Sequence, residues 1–111
     1  MRNEVDVFME CLKRPEANVL AYLFRHGTAF SRDIEHDMNL RQPEVSLAIS
    51  AFLKKKWIKK REIKHDGKGR PNIEYHLAID NKKIILELKK EINDKLKSLY
   101  NTLNELDNLE E

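Results

Sequence analysis

The chain has 111 residues, of which 41% are hydrophobic and 36% charged, enough apolar side chains for one core and too many for a disordered chain. No apolar run approaches the roughly 18 residues of a membrane-spanning helix, and the acidic Glu4, Asp6 and Glu10 are unlike a signal peptide. The single Cys11 excludes an internal disulfide framework and a cysteine-rich zinc site, so the expectation is a cytoplasmic, non-membrane protein with one core.

The net charge of +2 hides an uneven distribution. Residues 1–40 carry 5 basic and 7 acidic side chains, residues 41–70 carry 10 and 3, and residues 71–111 carry 6 and 9. The middle third is thus at net +7 between two acidic flanks. Such a concentration is the footprint of a polyanion binder, although a solvated lysine-rich face has the same composition.

In residues 3–13, Val5, Phe8, Met9 and Leu12 predict a one-faced helix. Pro15 suits the start of a second helix and Glu16 its dipole. Ala17, Leu20, Ala21, Leu23 and Phe24 would face inward, and Gly27 ends the helix. A short third helix is expected from about Ser31, as N-cap, to Met38, closed by a left-handed Asn39. After Leu40 and Arg41, Pro43 and Glu44 open a helix over about 42–55. Val45, Ala48, Ile49, Phe52 and Leu53 make its inner face, and Gln42, Ser46, Ser50 and Lys54 the opposite one.

From Trp57, read as a core plug, the period changes. Residues 58–63 read as a strand, 64–72 as a turn-rich loop, and the alternation of Ile73, Tyr75, Leu77 and Ile79 as a half-buried strand, together a hairpin. From Asn81 to Leu109 no proline or glycine interrupts a helical pattern. Ile85, Leu88, Ile92, Leu96, Leu99, Leu103 and Leu106 form a heptad seam with one extra step near Ile92. A helix of roughly 43 Å exceeds the radius of so small a domain, so the seam calls for a partner, most simply a second copy, the alternative being a helix folded back over its own core. The flanking Lys95, Tyr100, Thr102 and Asp107 leave parallel and antiparallel packing open.

The short helix, tight turn and following helix form a helix-turn-helix, with the hairpin as a wing. In this order, Ser31-Arg32-Asp33-Ile34, Leu40-Arg41-Gln42-Pro43-Glu44-Val45-Ser46, Phe52-Leu53-Lys54-Lys55-Lys56-Trp57-Ile58, Gly67-Lys68-Gly69-Arg70-Pro71 and Tyr75-His76-Leu77 resemble archaeal and bacterial winged-helix transcriptional regulators of the MarR/TrmB/ArsR-like kind. The resemblance covers roughly residues 15–80, with a matching dimerisation helix behind. It implies a mainly α fold with a small β-hairpin (α+β): residues 1–80 as winged helix-turn-helix, residues 81–111 as dimerisation helix. Two positions depart from the family's habit. Arg41 stands where Ser or Thr often caps the recognition helix, so the cap lies one residue away or is missing. Lys56 stands where Gly often closes that helix, which implies mild left-handed strain.

The resemblance implies a homodimeric binder of double-stranded DNA. Arg41, Gln42, Pro43 and Ser46 would reach base edges in the major groove, while Ser50 and Lys54 reach phosphates. Ser31 and Arg32 open the first motif helix, and Lys64, Lys68 and Arg70 arm the wing for the backbone or minor groove. The competing reading is an ordinary surface serine for Ser46 and Ser50, and a solvated loop tip for Lys68 and Arg70. Val5, Phe8 and Leu12 join the long seam as candidate dimer contacts.

No cofactor or metal is expected, since His26, His36, His65 and His76 lack ligand spacing. Cys11 is compatible with a core residue or a redox sensor, and its mixed-charge helix does not favour a thiolate. No small-molecule effector is identifiable. The alternatives are a winged-helix protein-interaction module of the transcription machinery and an RNA binder. The +7 segment argues against the first, and the lack of exposed wing aromatics against the second. No nucleophile, base and oxyanion set is visible, so an enzyme is not expected.

Overall fold

The computed structural model describes residues 3–63 and 72–110. In chain order it contains α1 (Glu4–Phe8), α2 (Arg14–His26), β1 (Thr28–Phe30), α3 (Ser31–Asp37), α4 (Gln42–Lys54), β2 (Ile58–Ile63), β3 (Asn72–Leu77) and α5 (Asn81–Leu109). It divides into two compact units at Asn81 and Lys82.

Helix starts follow from local chemistry. Asn3 caps α1 by accepting from the Asp6 N–H at 2.9 Å, and the Asp6 carboxylate accepts from the Asn3 N–H in return. α2 and α4 share another device. Each has proline at its second position and glutamate at its third. The Glu16 carboxylate accepts from the Lys13 N–H at 3.1 Å, and that of Glu44 from the Arg41 N–H at 3.0 Å. Arg41 therefore occupies the N-cap position with an extended backbone and no side-chain cap bond, because a guanidinium has no acceptor to offer.

Helix ends follow from left-handed residues. Gly27, at φ 79°, stops α2. Asn39 takes φ 52° and Lys56 φ 64°, as their places in the sequence suggest. At Lys56 the Lys56 N–H donates to Leu53 O and the Trp57 N–H to Phe52 O, both at 3.0 Å. This is the paired closure of a Schellman motif. The hydrophobic contact that accompanies it is the stack of Phe52 on Trp57, with centroids 5.5 Å apart. Asn39 and Leu40 close α3 in the same way through His36 O and Glu35 O.

The sheet has the order β1-β3-β2, antiparallel throughout. The hairpin pairs Ile58 with Leu77 and Ile63 with Asn72, and β1 pairs Thr28 with His76. The hairpin alone was expected. β1 is the addition: three residues are too few to display a strand period. Its central Ala29 is buried.

The core of the first unit gathers Ala17, Val19, Leu20, Leu23, Ile34, Val45, Phe52, Trp57 and Ile58, with no buried polar side chain among the described residues. Trp57 is fully buried, as a core plug should be. α2 buries Val19 and Tyr22 in addition to the expected face, and Phe24 is half-buried rather than fully inside.

Other expectations are corrected. The first helix stops at Phe8 instead of running to residue 13, because Lys13 must be extended to start α2 and Pro15 has no N–H to extend α1. Ser31 is the first helical residue of α3, and Phe30 stands at the N-cap with no side-chain bond. The last strand ends at Leu77, with Ile79 beyond it. Phe8, expected at a dimer interface, is buried within one chain, its ring edge-on to Phe24 at 5.3 Å, and leaves a partner little to cover.

α5 taken by itself changes character along its length. Ile84 and Leu88 are buried and Ile85 is half-exposed, so Leu88 also has little surface left for a partner. From Leu96 the apolar stripe of Leu99, Leu103 and Leu106 is open to solvent, beside Tyr100 and Leu109. Val5, Leu12 and Ile92 are half-exposed.

Candidate nucleic-acid interface

α4 is amphipathic in the way a groove-reading helix requires. Val45, Ala48, Ile49 and Phe52 anchor it, while Gln42, Pro43, Ser46, Leu47, Ser50 and Lys54 are exposed. Its anchoring is rigid at both ends: the Glu44–Arg41 bond holds the start and the Phe52–Trp57 stack holds the finish. Lys55 places its ammonium 4.5 Å from the Trp57 ring centroid, a cation–π contact at the same corner.

Ser31, Gln42, Ser46 and Ser50 line one open groove of about 320 Å³, joined by Glu35, Ile49, Leu53, Lys60 and Tyr75. Four expected site residues from two helices are thus brought together. Arg32, Arg41, Pro43 and Lys54 are exposed and outside that lining. A second shallow depression, lined by Phe30, Ser31, Arg32 and Tyr75 with Asn72 and Ile73, places Arg32 beside the base of the hairpin. Lys64, Lys68 and Arg70 lie outside the described residues.

Lys60 and Tyr75 were missed as site residues. The register puts Ala29, Tyr75 and Lys60 in one cross-strand row, so the row that is buried at Ala29 emerges at Lys60 in the groove. Strand alternation had marked Tyr75 as simply inward-facing, and Lys60 was one of a run of cations. Only pairing distinguishes that run. Arg61 sits opposite Glu74 and forms an ion pair at 2.6 Å, with Glu74 largely covered, so part of the Arg61 charge is spent within the sheet. Glu35 is the acid of the groove lining, and a carboxylate there suits a cytosine amino group.

α3 packs against α4, β1 and β3, and a polar tie links it to α2. The Tyr22 hydroxyl donates to Asp37 Oδ2 at 2.7 Å, and His36 Nδ1 lies 3.2 Å from Asp37 Oδ1. The Tyr22 hydrogen bond, helped by His36, holds the Asp37 carboxyl below its usual range. The same bond, with burial and the Asp37 charge, pushes the Tyr22 phenol up to about 12. Asp37 ends α3, where the helix dipole disfavours an acid, so both neighbours offset an unfavourable position.

No protein-family model and no curated protein matches the sequence. Solved structures do. A possible transcriptional regulator from Methanosarcina mazei Go1 is similar with a TM-score of 0.66 and 16% identity, over 93% of this chain and 88% of that one. A transcriptional regulator homologue from Pyrococcus horikoshii OT3 gives 0.58 and 14%, over 86% and 96%. A mutant of MepR from S. aureus gives 0.53 and 20%, over 95% and 77%. At these identities the likeness is one of fold. The chain shares with these structures a winged helix-turn-helix fold, mainly helical with a small antiparallel sheet and a long C-terminal helix. No helix among the described residues is long and apolar enough to cross a membrane.

Proposed function

We propose that this chain is a sequence-specific, double-stranded-DNA-binding transcriptional regulator that acts in the cytoplasm as a homodimer and has no catalytic role. The observation that carries this reading is the convergence of Ser31, Gln42, Ser46 and Ser50 with Lys60 in one open groove beside the exposed face of α4. A helix of 13 residues, about 20 Å long, fits the major groove. Gln42 at its start suits adenine and Arg41 guanine, Pro43 suits a thymine methyl, and Ser46 reaches the next base edge. Ser50, Lys54 and Lys60 suit phosphates. The wing residues Lys64, Lys68 and Arg70 extend the footprint along the backbone or into the minor groove. The exposed leucines of α5 support self-association, which sets two recognition helices on two half-sites.

The test is selection from a random pool of short duplexes with the purified protein. A palindromic motif with half-sites about 34–36 Å apart is expected. Bulk, salt-sensitive binding without an enriched motif would remove sequence specificity. No binding at low salt would move the function to protein–protein contact.

A further inference from the structure

α5 carries its charges the wrong way round for an isolated helix. A helix favours acids near its N-terminus and bases near its C-terminus, yet the first turn of α5 has no acid and the last turn no base. Residues 82–97 hold six bases and three acids, whereas residues 98–111 hold four acids and no base. The exposed leucines Leu96, Leu99, Leu103 and Leu106, each more than half open to solvent, lie across the boundary between these segments. Their spacing of three, four and three residues is a heptad seam fit for a second helix.

We propose that the stripe binds the same stripe of a second copy of this chain with the two helices antiparallel. The proposal deepens the homodimer reading and rests on it. Parallel packing would set the two acidic segments side by side and align the two helix dipoles. Antiparallel packing opposes the dipoles and moves the two acidic segments apart, each lying level with residues 91–104 of the other copy, a stretch with as many bases as acids. The midpoint of the stripe is Asn101. Reversal about it brings Leu96 level with Leu106 of the partner subunit and Leu99 level with Leu103 of the partner subunit. The leucine register is satisfied in either direction, and the separation of the acidic segments together with the opposed dipoles selects the antiparallel one.

Spin labels on the full chain test the direction, in a Cys11→Ser background. Thr102→Cys and Leu109→Cys place labels one heptad apart on the same helix face. In a parallel dimer the two sites give the same short inter-subunit distance. In the antiparallel dimer position 102 stays short, while the labels at 109 stand about 24 Å apart along the axis, 16 residues at ~1.5 Å. Sedimentation of both variants establishes the dimer separately. Short distances at both positions overturn the antiparallel proposal and leave the homodimer standing. A monomer, or a dimer with long distances at both positions, overturns self-association through this stripe.

Discussion

α2 and α4 begin alike and are used differently. Both have 13 residues, proline at the second position and a glutamate that accepts from the preceding N-cap amide. α2 buries six residues and exposes Arg14, Arg25 and His26. α4 buries four and exposes six, among them Gln42, Ser46 and Ser50. End chemistry thus decides where a helix starts, while the number of faces it must bury decides what remains for recognition. α2 packs against α4 and is tied to α3 through Tyr22, and α4 keeps a face free.

The largest effects should come from the shared inner faces. Phe52→Ala should lower unfolding free energy by about 3–5 kcal/mol and Leu20→Ala by about 2–5 kcal/mol. Ser46→Ala and Ser50→Ala should stay within about 0.5 kcal/mol in the same urea titrations. Equal losses on both sides of α4 would break the contrast between anchor and free face. On DNA the order reverses: Gln42→Ala should cost about 1–3 kcal/mol at one base pair with stability unchanged. The same loss on specific and random duplexes would end its assignment to base reading.

Smaller effects sharpen the ends of the two helices. α2 closes with a left-handed glycine and α4 with a left-handed lysine. Lys56→Gly should therefore relieve about 1 kcal/mol of backbone strain, less the added freedom of glycine in the unfolded chain. The expected outcome is a small rise in denaturation midpoint, and a fall would show that the Lys56 side chain contributes more than its backbone loses.

Tyr22→Phe tests the tie from α2 to α3 through pH. A depressed Asp37 adds stability above the ordinary carboxylate value, which is lost as pH falls through its lower folded value. A raised Tyr22 adds stability below 10, which is lost as pH climbs toward about 12. The difference between wild type and Tyr22→Phe should be flat across the neutral range and shrink at both extremes. A difference that does not change with pH would mean that the hydroxyl acts by packing alone.

Most of this architecture is legible in the sequence by itself. The 3.6-residue period of α2, α4 and α5, the starts at Pro15 and Pro43, and the closures at Gly27, Asn39 and Lys56 are local, set by backbone sterics and the next few residues. The outward position of Gln42, Ser46 and Ser50 follows from the same period. Only tertiary structure decided the rest, because it depends on partners distant in sequence. β1 exists as a strand through its pairing with β3. Phe8 faces inward because Phe24 is there to meet it. Lys60 and Tyr75 reach the groove through a sheet register, and Arg61 is drawn to Glu74 by the same register. Periodicity assigns a side chain to a face, whereas cross-strand register decides which cation on that face stays paired within the sheet and which lines the groove.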